Sequence, residues 1–229
     1  MTGGAVRVGR AIALALARAG MDVAIGYHHS RAAAAHTVRA IERLGARGAA
    51  VRADLGDARA ARRLVTAAAQ ALGGLDVLIN NAAVFVRTPF ATTSPRHFDH
   101  IVDVNLRGPF FCAQAAAVFM KRGGHIVNIG DAGAGQAWPG YILYTLSKAG
   151  VLALTRSLAA ALAPHGIAVN CVSPGAVLRP VGFPRARWAA LTGGRAEAVD
   201  DVAAAVVRFA TCPPSLTGRA VNVHGGRTR

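Results

Sequence analysis

A doubly wound parallel α/β sheet is the fold this sequence predicts, and three observations predict it. Short continuous apolar runs alternate with Ala-rich helical stretches along all 229 residues. The runs lack polar-apolar alternation, as expected for strands covered on both faces. A glycine-rich turn opens directly into an amphipathic helix, the usual start of such a sheet's ligand edge. With 53% hydrophobic and 16% charged residues, the chain can bury a large core as one domain, 1–229.

Taken in order, the strands read as DVAIGY (22–27), AAVRAD (49–54), DVLINNA (76–82), HIVNIG (125–130), IAVNCVSPG (167–175) and AVNVHGG (220–226). Helices start near Arg7, Ser30, Asp57, Pro95, Tyr141 and Ala198. The first helix carries Val8, Ile12 and Leu16 on one stripe. No repeat, low-complexity tail or Pro/Ser-rich linker divides the chain.

Composition excludes several classes. No uninterrupted apolar run has membrane-spanning length, and the amino terminus lacks the basic-then-apolar order of a signal peptide. A cytoplasmic protein with no membrane partner is the expectation. Cys112, Cys171 and Cys212 show neither metal-ligand spacing nor an even disulfide set, so buried free thiols are expected and no metal site. The net charge of +15 comes from arginines scattered through Ala-rich helices, without a basic block interleaved with aromatics. Nucleic acid is not an expected partner.

The chemistry concentrates in GYILYTLSK. Tyr144 and Lys148 are an i, i+4 pair on one helical face, and Asp131 lies upstream at the end of a strand. A phenol of pKa about 10 is a sluggish proton donor at neutral pH, and a neighbouring ammonium is expected to lower that value. The turn TGGAVRVG brings backbone amides and a helix amino terminus to where a pyrophosphate can bind, although such turns are common.

Together, TGG…VG, Asp54–Leu55, Asn80–Ala82, Asn105, Tyr144–Lys148 and Ser173–Gly175 resemble the short-chain dehydrogenase/reductase family across essentially the whole chain. The resemblance implies an NAD(P)(H)-binding Rossmann domain of strand order 3-2-1-4-5-6-7. It implies Tyr144 as proton donor, Lys148 on the nicotinamide ribose, and Asn105 holding a relay water. The implied cofactor-binding set is Gly3, Arg7, Val8, His29, Ser30, Asp54, Leu55, Asn81, Ala82, Lys148, Pro174 and Gly175.

Two departures look like the pteridine reductase branch. Arg7 stands at a glycine position of the usual turn, and Asp131, thirteen residues before Tyr144, replaces the usual serine. That branch reduces dihydropterins or dihydrofolate with NADPH. A carboxylate suits protonation at a ring nitrogen better than polarisation of a carbonyl. The plainer alternative is that Asp131 caps the turn after its strand.

The second strand of the family pattern ends GYHHSR without a carboxylate, which favours the 2′-phosphate of NADPH over the 2′-hydroxyl of NAD. Arg7, His29, Ser30 and Arg31 are the candidates to surround it, with His28 read as an exposed loop residue. Phe85 matches an aromatic that stacks a flat heterocycle, and Tyr141 lines the same pocket or packs at its helix start. With Asp131 and Tyr144 these form the expected substrate set. Residues 178–198 are expected to form a substrate lid anchored by Trp188. His125 reads as solvent-facing and Trp138 as a loop residue.

Relatives carry an apolar strand just before TGG, where this chain has only Met1. A missing central strand would leave two inner strands with unpaired backbone groups. The expectation is a natural start further upstream. Three functions are weighed: an NADPH-dependent pterin or folate reductase, a carbonyl reductase such as a 3-oxoacyl-carrier-protein reductase, and a non-catalytic truncated family member. Relatives of this kind form homotetramers, and the apolar stretch 146–163 suits a buried interface.

Overall fold

Each predicted apolar run forms a strand, and the six expected helices begin within a residue of their expected starts; Gly108–Phe119 and Arg185–Thr192 were not expected as separate helices. The computed structural model describes residues 1–120, 123–193, 196, 198–224 and 227–228, with backbone alone for 224, 227 and 228. The strands are β1 Val23–Tyr27, β2 Gly48–Arg52, β3 Val77–Asn80, β4 His125–Ile129, β5 Ala168–Pro174, β6 Ala220–His224 and a short β7 Arg227–Thr228. The helices are α1 Arg7–Arg18, α2 Arg31–Glu42, α3 Ala58–Leu72, α4 Pro95–Val102, α5 Gly108–Phe119, α6 Ile142–Leu162, α7 Arg185–Thr192 and α8 Val199–Thr211. A π-turn, Asp103–Arg107, joins α4 to α5.

The family's strand order was expected here without its central strand. The strands form two sheets, β1-β2 and β3-β4-β5-β6-β7, parallel except for the antiparallel β6–β7 pair. The break falls between β1 and β3, where the central strand was expected to be missing. Met1 and Thr2 stitch it at one end. The Met1 amine donates to Ala24 O at 2.6 Å, Gly26 N donates to Met1 O at 2.7 Å, and Thr2 N donates to Ile79 O at 2.9 Å. Behind this stitch lies a cavity of about 400 Å³ lined by Leu16, Val23, Ala24, Leu72, Val77 and Ile79 among others.

Local chemistry explains the element ends. Asp57 caps α3 by accepting from Arg59 N at 2.8 Å, and Gly73 closes that helix in the left-handed conformation. α1 and α8 pack Ile12, Leu16, Val202, Val206 and Phe209 against Val127, Val172 and Val223. α3 and α5 cover the other side with Leu64, Val65, Cys112 and Ala116 around Leu78, Ile126 and Val169.

Three expectations change here. His125 is buried, not solvent-facing; burial lowers its pKa, and its Nδ1 has no hydrogen-bond partner. Cys112 and Cys171 are buried thiols, whereas Cys212 is only partly covered. By length and composition, Ile142–His165 is apolar enough to cross a membrane, with a mean hydropathy of 1.3. Its inner face packs on the sheet and carries the buried Lys148, which is how the helix serves the site.

Candidate active site

The carboxyl ends of the strands open into two cavities that meet at Arg7 and Val8. The first, about 420 Å³, is walled by Gly3, Arg7, Val8, Gly9, Tyr27, His28, His29, Asp54, Leu55, Asn81 and Ala82 among others. The second, about 630 Å³, is walled by Phe85, Asp131, Trp138, Tyr144, Pro174, Gly175, Phe183 and Trp188, with Arg7 and Val8 shared.

The glycine-rich turn is built by close approach. A Cβ on Gly9 would stand 2.0 Å from Gly3 O, and one on Gly3, itself at φ +62°, would stand 2.9 Å from Ala82 Cα. Asn81 Nδ2 holds the turn by donating to Thr2 O and Gly3 O at 3.1 and 3.0 Å. Thr2 Oγ1 accepts in return from Asn81 N and Ala82 N, both at 3.0 Å. This Thr2 clamp was missed as a site element, although the TGG string contains it. The first turn of α1 has no acidic residue and no side-chain cap, so its amides remain available to an anion.

Tyr144 donates its phenolic proton to Asp131 Oδ2 at 2.6 Å, while Asp131 Oδ1 accepts from Gly133 N at 2.7 Å. Asp131 therefore caps its turn and engages Tyr144 at once. Burial, then the charge and hydrogen bond of Asp131, hold the phenol well above its ordinary pKa. This reverses the expected acidification by Lys148. The Lys148 ammonium donates to Ile129 O at 2.7 Å and lies 6.0 Å from the Tyr144 ring centre. Burial lowers its own pKa against the opposing pull of Asp131.

Asn105 does not reach either cavity. It is buried in the π-turn, where Oδ1 accepts from Val84 N at 2.8 Å and Nδ2 donates to Val84 O and Ser147 Oγ, both at 3.0 Å. Ser147 Oγ in turn donates to Tyr144 O at 2.7 Å. The side chain braces the β3 loop against α6 directly, through one acceptor and two donor bonds. A π-turn at such a position is a frequent companion of functional sites.

Other expectations shift within the site. Arg7, at φ 54°, donates from its guanidinium to Leu178 O and Arg179 O while still lining the first cavity with His28 and His29. Ser30 is exposed at the start of α2 and lines neither cavity. Pro174 and Gly175 wall the second cavity and not the first. Lys148 lines neither. Tyr141 sits behind the second cavity, stacked on Phe85 with ring centres 4.4 Å apart and planes 12° from parallel. That leaves Phe85 one face and an edge contact at 4.6 Å to Tyr144. Trp138, read as a loop residue, joins this aromatic cluster, and Trp188 lines the second cavity. The end of the expected lid, residues 194, 195 and 197, lies outside the described residues.

The charged groups near the first cavity are cationic or neutral, apart from Asp54. His28 and His29 stack with ring centres 3.7 Å apart, and His28 Nε2 is 3.9 Å from Asp54 Oδ2. Asp54 also accepts from Gly56 N at 2.9 Å, which fixes the loop after β2.

Comparison with known proteins agrees with this arrangement. The family model described as Enoyl-(Acyl carrier protein) reductase matches residues 4–228. The chain is 36% identical over 240 residues to 3beta-hydroxysteroid dehydrogenase 1 of Eggerthella lenta, covering 100% of this chain and 92% of that protein. It is 36% identical over 180 residues to the 3-oxoacyl-[acyl-carrier-protein] reductase FabG of Staphylococcus aureus, covering 78% and 73% of the two. A short-chain dehydrogenase from Burkholderia cenocepacia, solved in complex with NADP, superposes with a TM-score of 0.91 at 36% identity, over 98% of this chain and 95% of that one. The chain belongs to the short-chain dehydrogenase/reductase family of oxidoreductases.

Proposed function

We propose that this chain is an NADPH-dependent reductase of a C=N bond in a pterin or folate-type ring. The observation that carries the reading is the 2.6 Å hydrogen bond from Tyr144 to Asp131. It sets a carboxylate beside the proton-donating phenol where the usual family pattern has a serine hydroxyl, and a carboxylate suits protonation at a ring nitrogen better than polarisation of a carbonyl. The wall formed by Phe85, Trp138, Phe183 and Trp188 is suited to a flat heterocycle.

The residues present fit the cofactor. The cradle at Gly3 and Gly9 admits no side chain, the first turn of α1 is open to an anion, and the carboxyl end of β1 carries His28 and His29 where NAD-selective folds carry a carboxylate. When bound, the reduced nicotinamide supplies hydride to the substrate carbon. Tyr144 then supplies the proton to the adjacent nitrogen, and Asp131 orients the phenol and stabilises it until transfer. Lys148, anchored on Ile129 O, sets its ammonium 6.0 Å from the Tyr144 ring centre and is the residue this reading assigns to the nicotinamide ribose.

Purified protein mixed with NADPH and 7,8-dihydrobiopterin or dihydrofolate tests the reading by loss of NADPH absorbance. Pterin-dependent oxidation supports it; turnover with acetoacetyl-CoA and none with any pterin overturns it. The likeness to the Staphylococcus aureus 3-oxoacyl-[acyl-carrier-protein] reductase favours that carbonyl alternative. The same reading takes the protein as a cytoplasmic homotetramer. Phe110 and Val118 on α5 and Leu146 on α6 are 40%, 80% and 52% exposed, apolar surface that a self-association would cover. Light scattering in solution tests this.

A further inference from the structure

Arg7 occupies a backbone position that asks for glycine. Its φ of 54° makes it the sole non-glycine at positive φ among the described residues. For a residue with a Cβ that conformation is strained. Nothing in the turn requires the strain, since glycine would adopt the angle freely. The compensation lies at the other end of the side chain. Nη2 donates to both Leu178 O and Arg179 O at 2.9 Å, across a sequence separation of more than 170 residues.

Those two carbonyls begin the segment that roofs the second cavity. Leu178, Pro180, Val181, Phe183, Trp188, Leu191 and Thr192 all contribute to its wall. Phe183, buried against Tyr141 and Tyr144, is the other anchor of the roof; around it α7 buries none of its residues, and Val181 is 92% exposed. Within the roof, Arg179 Nη1 bonds Phe183 O, and Phe183 packs edge-on to Trp188. The Arg7 link thus fixes the start of a weakly packed strap whose apolar residues form the cavity wall.

Arg7 also lines both cavities, at their junction. A guanidinium carries five N–H donors, and the roof occupies only those of Nη2. The remaining donors can take an anionic group of a ligand spanning the junction without releasing the roof. We infer that Arg7 is a latch that holds the Leu178–Thr192 strap over the substrate cavity and tightens it when an anion binds beside α1. The anion-binding half of the inference rests on the cofactor reading above; the latch itself does not.

Arg7→Gly separates these possibilities, because glycine removes the latch and relieves the strain together. Limited trypsin digestion without ligand reads the strap through cleavage after Arg185 and Arg187, which are exposed, followed by mass spectrometry. Cleavage at these sites is expected to be at least fivefold faster in Arg7→Gly than in the wild type, with an equal or higher melting temperature. Arg7→Lys keeps the charge but offers one ammonium to two carbonyls, and is expected to fall between them. NADPH is expected to slow cleavage in the wild type and to do so much less in Arg7→Gly. Equal ligand-free cleavage in the wild type and both variants would overturn the latch. Faster cleavage with no effect of NADPH on either protein would leave the latch standing and remove the coupling to an anion.

Discussion

Tyr144 and Asp131, thirteen residues apart in sequence, share a 2.6 Å hydrogen bond in which the phenol donates and the carboxylate accepts. Burial first, and then the carboxylate, penalise ionisation of the phenol, so Tyr144 keeps its proton beyond the pH at which a free phenol loses it and Asp131 supplies part of that shift. If the protonated phenol is the active form, Asp131→Asn brings the Tyr144 pKa back down toward its ordinary value. The alkaline limb of the kcat/KM profile should then move to lower pH. Tyr144→Phe should cost about 10²–10⁴-fold in kcat. An alkaline limb unmoved by Asp131→Asn would disconnect the pair from proton transfer.

The Met1 amine is buried at the end of the gap between β1 and β3, although the Met1 residue as a whole is only half-buried, and burial pushes its pKa down to about 6 from 8.0. In protein whose chain opens with a free Met1 amine, this has a signed consequence. Below pH 6 both folded and unfolded chains carry the charge, and the folded state bears its desolvation in full. Between 6 and 8 the folded chain has lost a proton that the unfolded chain still holds, so stability climbs. The gain should be about 2–3 kcal/mol in urea unfolding across that window. An amino-terminally acetylated protein should lack this component.

Thr2 Oγ1 is the acceptor for two backbone amides, those of Asn81 and Ala82. Thr2→Val keeps the shape and removes the acceptor, leaving both amides without it. A loss of about 2 kcal/mol or more is expected, read as a fall in melting temperature. Thr2→Ser should retain most of the stability.

His29 stands beside the first cavity at the end of β1. His29→Asp places a negative charge where the proposed 2′-phosphate would sit. NADPH affinity is expected to fall at least about tenfold while NADH affinity holds or improves, measured by fluorescence titration.

Much of this was legible from residue order. Continuous apolar runs marked the strands, and the helix starts expected near Asp57 and Ser30 fall one residue before α3 and α2, because strand burial and helix starts are local properties. The gap at β1 and β3 was legible too, since the sequence before TGG is too short for a strand. What escaped depended on distant contacts. The partner of the Arg7 guanidinium lies in the Leu178 segment, and no local pattern points across that distance. Tyr141 shares a helical face with Tyr144, but which of them meets the cavity depends on where Phe85 stacks. The direction of the Tyr144 pKa was misread because spacing shows that Lys148 is near without showing that the phenol is buried and bonded to Asp131. His125 was read as exposed from its place at a strand start, and the Asp76–His125 pairing instead draws it into the sheet.

The central claim is that a carboxylate at residue 131 directs this site to C=N reduction, and the substrate preference of Asp131→Ser tests it most directly. Initial rates of NADPH oxidation would be compared for wild type and variant with 7,8-dihydrobiopterin and with acetoacetyl-CoA. The account predicts that the wild type prefers the pterin and that Asp131→Ser loses most of that activity. A wild type that reduces only the thioester, with Asp131→Ser matching or exceeding it, would contradict the account.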